Sequence, residues 1–142
     1  AGQGPRHIAY TGNGRAYLVT EIGNCVYPVM FGKNAGKVVG EGVSTLEDLA
    51  SVNLAAALWI TPDDQGLLVS NRGEGTIVRY TIPSLDKTAV YRLPAKQPRD
   101  FCVLDDRRIV AACQDFGLIL LKDGKVADIL PYTGAVRVLP VS

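Results

Sequence analysis

Histidine occurs once in the 142 residues, at position 7, so a metal centre built from several imidazoles is excluded. The three cysteines, Cys25, Cys102 and Cys113, are odd in number and lack CxxC spacing, which makes a reducing, cytoplasmic setting the expectation. No stretch approaches the roughly twenty apolar residues of a membrane span, and none has the pattern of a signal peptide. Excess charge of one sign is missing too: 15 Lys and Arg face 14 Asp and Glu, a net charge of +1. That balance supplies no chain-wide field for nucleic acid or an acidic membrane, and neither is expected as a partner. The GxSxG elbow, the Walker loop and the dinucleotide fingerprint are absent, so no cofactor is expected. Carboxylates show no metal-ligand spacing, and no metal is expected either.

What is present is an ordinary soluble mixture, 47% hydrophobic and 20% charged, in a length that fits one domain. Within it the chain repeats itself. Residues Tyr10 to Glu21 return, with one inserted residue, as Ile60 to Arg72, and more loosely as Val103 to Gln114. A spacing of roughly 40 to 50 residues is that of a propeller blade. Each copy holds short apolar runs bounded by turn residues, which read as strands. In the first copy strands are expected at 8–11, 16–20, 26–31 and 37–43, joined by turns at Gly12-Asn13-Gly14 and Asn34-Ala35-Gly36. The second has 58–61, 67–71, 76–82 and 89–93, after a connection over 46–57. The third has 100–104, 109–113, 118–122 and 126–130, with Asp123-Gly124 as a two-residue hairpin turn. The expected fold is therefore all-β: an arc of three four-stranded antiparallel blades, over 4–45, 46–93 and 94–131, with a further C-terminal strand at 135–141.

Propellers close at four to eight blades, so an arc of three leaves blade faces open. The missing blades are expected from a longer chain, a partner chain or further copies of this one, and the strand at 135–141 could pair with a neighbour.

Counting outward from the hairpin turns puts His7 opposite Glu21 and Arg99 opposite Gln114. The repeat makes Glu21, Arg72 and Gln114 the same position in successive blades. Arg6, His7, Glu21, Arg72, Arg99 and Gln114 are thus expected at one mouth of the central channel. Guanidinium groups can hold a phosphate or carboxylate in bidentate geometry, and an imidazole can move a proton or activate water. The same residues also read structurally, with the arginines as interblade salt-bridge partners, Gln114 as a turn amide and His7 as an exposed strand residue. Cys102 and Cys113 could approach each other across the third blade's first hairpin, although buried free thiols fit better, and Trp59 reads as core.

Gly4-Pro5-Arg6-His7-Ile8-Ala9-Tyr10, Leu18-Val19-Thr20-Glu21, Val69-Ser70-Asn71-Arg72, Gln97-Pro98-Arg99-Asp100-Phe101 and Ala112-Cys113-Gln114 together resemble the lactonase family of seven-bladed propellers. That family includes propeller-type 6-phosphogluconolactonases and fungal carboxymuconate cyclases, and the match is to its later blades. The resemblance implies a cytoplasmic, metal-independent propeller whose channel mouth takes a small anionic lactone. It implies His7 as acid or base, Glu21 as its acidic companion, Arg72 as an anion-binding catalytic residue, and Arg6, Arg99 and Gln114 as substrate-binding neighbours. Thr20 and Cys113 depart from the pattern, standing where asparagine, as at Asn71, is usual. The expected function is hydrolysis of 6-phosphogluconolactone to 6-phosphogluconate. Cycloisomerisation of a carboxymuconate at the same site, and a non-catalytic binding module, are the alternatives.

Overall fold

The computed structural model describes residues 2–33 and 36–141. Its strands build three antiparallel sheets in chain order. Blade 1 contains β1 (Pro5–Tyr10), β2 (Ala16–Thr20), β3 (Cys25–Phe31) and an outer edge broken into β4 (Gly36–Val38) and β5 (Val43–Ser44), both paired to β3. Blade 2 is β6 (Ala55–Ile60), β7 (Gly66–Asn71), β8 (Thr76–Thr81) and β9 (Lys87–Arg92). Blade 3 is β10 (Pro98–Val103), β11 (Arg108–Cys113), β12 (Gly117–Lys122) and β13 (Lys125–Pro131). Within each blade the strands pair in chain order, β5 alone returning to β3, as expected of a partial propeller. Among the described residues no helix is long and apolar enough to cross a membrane.

Side-chain alternation decides which blade covers which. On β7, Leu67 and Val69 pack towards blade 1 with Tyr17, Val19 and Val26, whereas Leu68 packs towards blade 3 with Phe101, Ile109 and Ile119. Blade 2 is thereby covered on both faces, which is why all six residues of β7 are buried and why its run Leu67-Leu68-Val69 is apolar without alternation. Each large side chain fully removed from water there contributes about 1.5–3 kcal/mol. Ile8 and Tyr10 on blade 1 and Leu130 on blade 3 remain exposed on the outer faces of the arc.

The turns follow residue chemistry. Asp123 and Gly124 adopt φ of 52° and 74°, the left-handed pair that a two-residue hairpin requires, and they join paired Lys122 and Lys125. The expected fourth strand of blade 1 is interrupted between β4 and β5, in a stretch holding Gly40 and Gly42; glycine weakens a strand interior. Asn34 and Ala35 of the expected turn lie outside the described residues. Residues 135–141 form no strand; instead Gly134 N–H donates to Gln114 O at 2.9 Å and Val138 N–H to the Asp100 carboxylate at 3.1 Å. Cys102 sits with Val110 on one face of blade 3 while Cys113 packs on the other, so the two thiols cannot approach each other; both are buried and free.

Candidate functional site

The site begins with an irregularity repeated in all three innermost strands. Pairing of β1 with β2 slips between Pro5 and His7, that of β10 with β11 between Pro98 and Asp100, and that of β6 with β7 between Ala55 and Leu58. A bulge adds a residue and re-aims its side chain. The added residue is Arg6 in blade 1 and Arg99 in blade 3, and the equivalent stretch of blade 2 is Ala55-Ala56-Ala57. The ends of the second strands also correspond, because the N–H groups of Glu21, Arg72 and Gln114 bond the carbonyls of Gly4, Leu54 and Gln97 at 2.7, 3.1 and 2.9 Å.

The register corrects one expectation. His7 pairs with Val19, not Glu21, because the hairpin closes on a loop centred at Asn13 and the ladder runs unbroken from Tyr10 to His7; the slip at Arg6 comes only after that pair. Glu21 is engaged elsewhere. Its carboxylate accepts a bond from Arg6 at 3.1 Å and another from Arg72, whose Nε also donates to Leu54 O at 3.3 Å. Partial burial works against charge on Glu21, yet the bonds from Arg72 and Arg6 hold its carboxyl below the usual 4.5. Arg72 is the more deeply placed partner, 9% exposed against 29% for Glu21. Its guanidinium is thus committed to the network rather than free for an anion. Arg6 Nε is buried without a partner.

His7 faces another way. With Arg6, Leu58, Trp59, Arg99, Asp100 and the segment from Val136 to Leu139 it borders a cavity of about 340 Å³. Burial and the charges of Arg6 and Arg137 lower its pKa below 6.5, and Asp100 followed by Glu21 opposes them. His7 is exposed at the cavity edge, and the direction of the shift favours the neutral imidazole, the form able to accept a proton. Arg99 donates to Gln114 Oε1 at 2.9 Å, so those two expected neighbours do meet through their side chains. The six expected residues therefore form two hydrogen-bonded groups, Arg6–Glu21–Arg72 and Arg99–Gln114, with His7 bordering the same cavity as Arg6 and Arg99.

Trp59, Asp100 and Arg137 were not singled out from the sequence as site residues. Trp59 is only half-buried and lines the cavity instead of lying wholly in the core. Asp100 occupies in blade 3 the position of His7 in blade 1, which the paired bulges could have revealed. Arg137 carries no repeat signal. Among the described residues, no three His, Cys, Asp or Glu side chains gather as a metal-ion site.

The family model described as "Lactonase, 7-bladed beta-propeller" matches residues 1–121. The chain belongs to this family. A protein from Lactobacillus plantarum of known structure superposes on this lactonase-family chain with a TM-score of 0.79 at 27% identity, covering 95% of this chain and 43% of the other. The periplasmic gluconolactonase of Pseudomonas aeruginosa matches in fold with a TM-score of 0.77 at 23% identity, over 94% of this chain and 41% of that one. Among curated relatives, an uncharacterized protein of Staphylococcus saprophyticus is 28% identical over 133 residues, 88% of this chain and 39% of its own length. The chain thus spans less than half the length of each of these proteins.

Proposed function

We propose that these blades carry the catalytic mouth of a lactonase that hydrolyses 6-phosphogluconolactone, within a ring closed by further blades. The observation that carries the reading is the cavity that His7 borders together with Arg6 and Arg99. A structure from Bacteroides uniformis, provisionally named a 6-phosphogluconolactonase, shares the fold with a TM-score of 0.79 at 24% identity.

In this reading His7 takes a proton from water as the oxygen attacks the lactone carbonyl. An arginine at the cavity wall stabilises the oxyanion that forms. Collapse of that intermediate breaks the ring C–O bond, the imidazolium returns its proton to the departing alkoxide, and the product is a hydroxy acid. Arg99 and Arg6 hold the substrate's anionic group, and Gln114 orients Arg99. Glu21 acts as a positioning residue that fixes Arg6 and Arg72, rather than as a companion of the imidazole.

The test is 6-phosphogluconolactone hydrolysis by the ring-complete protein containing these blades, with light scattering to establish its closed mass. Replacing His7 with Ala is expected to lower kcat by about 10²–10⁴-fold. An unchanged rate would refute the assignment.

A further inference from the structure

The cavity beside His7 holds more positive charge than its own carboxylates compensate. Arg6, Arg99 and Arg137 approach it, and Arg72 stands behind Arg6, while Glu21 and Asp100 are the opposing carboxylates. Glu21 is occupied by Arg6 and Arg72. Arg99 gives its bond to the neutral amide of Gln114, which leaves its charge uncancelled. Among the described residues, neither Arg99 nor Arg137 makes an ion pair. Four arginines against two carboxylates leave two positive charges at the site.

Arg137 is exposed, but the backbone that carries it is pinned on both sides. Gly134 N–H is bonded to Gln114 O at 2.9 Å, and Ala135 is buried. Beyond Arg137, the Asp100 carboxylate accepts the Val138 N–H at 3.1 Å. Those anchors lie on blade 3, at the ends of the same strands that present Arg99 and Gln114.

We propose that Arg137 is a substrate-binding residue which, with Arg99, selects a lactone bearing a dianionic phosphoryl group over its uncharged counterpart, and that Asp100 is the residue that positions it. This inference rests on the lactone reading for the identity of the ligand, and its chemistry is charge matching: a phosphate monoester near pH 7 carries nearly the two negative charges the site lacks.

Calorimetric titration of the ring-complete protein with 6-phosphogluconate and with gluconate separates this inference from the catalytic one. Arg137→Ala is expected to weaken 6-phosphogluconate binding about 10- to 100-fold, the worth of a charge-assisted bond, and to leave gluconate unchanged. Arg137→Lys should recover part of the loss. Asp100→Ala should mimic Arg137→Ala, whereas Asp100→Asn, whose amide oxygen still accepts from Val138 N–H, should retain most of the phosphate selectivity. Equal losses for both ligands, or no loss for either, would overturn the proposal. If phosphate selectivity depends on Arg137 while the parent fails to open the lactone, the hydrolytic reading falls and this one stands. If hydrolysis proceeds with unchanged selectivity in Arg137→Ala, the reverse holds.

Discussion

Replacing Glu21 with Gln removes one charge from between two guanidinium groups and leaves the side-chain shape nearly intact. A buried charge stripped of its partner costs about 3–5 kcal/mol. Two features reduce that figure here. Arg72 keeps its bond from Nε to Leu54 O, and the glutamine amide oxygen still accepts one bond where the carboxylate accepted two. What is lost outright is one charge-assisted bond, worth about 1.5–3 kcal/mol. We therefore expect about 2 kcal/mol of destabilisation, read from urea unfolding of the ring-complete protein by circular dichroism. A second substitution sharpens the test. Arg72→Met in the Glu21→Gln background removes the unsatisfied buried charge and should recover about half the loss, so the two changes are strongly non-additive. The pH dependence follows the sign of the Glu21 shift. Because the folded-state pKa lies below 4.5, the carboxylate contributes fully above that value, and parent and variant converge as pH falls through the depressed pKa. Destabilisation under about 0.5 kcal/mol, or simple additivity of the two changes, would refute the network as the reason Arg72 tolerates burial.

The His7 shift makes a prediction of its own: the acidic limb of kcat/KM for the parent lies below pH 6.5, since the imidazole must be deprotonated to act as base. Asp100→Asn removes a charge that raises the His7 pKa and should move the limb lower, while Arg137→Ala removes one that depresses it and should move the limb higher; a pH–rate series with no movement in either variant would contradict the electrostatics. Stability bears the same sign, because a histidine with a depressed folded pKa disfavours the fold once pH drops below 6.5. Asn53 donates to Asn24 and Asn71 at 2.8 and 3.1 Å and accepts from the N–H groups of Gly73 and Glu74 at 2.7 and 3.1 Å. Thermal unfolding of Asn53→Ala should show a loss of about 2–3 kcal/mol, because backbone donors lose their acceptor; a neutral result would mean water replaces the amide without penalty.

The architecture was readable because turn residues and apolar runs recur in the same order three times. Tyr17 to Val19, Leu67 to Val69 and Ile109 to Ala112 fall in equivalent second strands, as the repeat requires. Register was harder. The count from the turn brought His7 to the wrong partner because the loop is centred on Asn13, and the slip at Arg6, one step further from the turn, adds a residue without altering composition and so left no mark in the sequence. Alternation likewise separates Cys102 from Cys113, which share a hairpin but not a face. Asp100 was visible inside the Pro98-Arg99-Asp100 phrase, yet its significance needs the bond to Val138 N–H, a contact from a segment with no counterpart in the repeat. That segment, 135–141, shows how a largely apolar run can be held by isolated hydrogen bonds in place of a ladder.

The three alanines at the start of β6 touch on the symmetry of the molecule. A rotational array of identical blades would present the same charge at every station, and a small ligand would meet a ring with no preferred heading. In the middle blade those side chains are buried and stop at Cβ, and β6 presents only Leu58 and Trp59 to the cavity, so Arg6 and His7 on one side confront Arg99 and Asp100 on the other across an uncharged wall. The two flanks differ as well, imidazole against carboxylate. An asymmetric molecule entering there has one end that fits each flank, so the loss of charged side chains from one copy gives direction to a scaffold built by repetition.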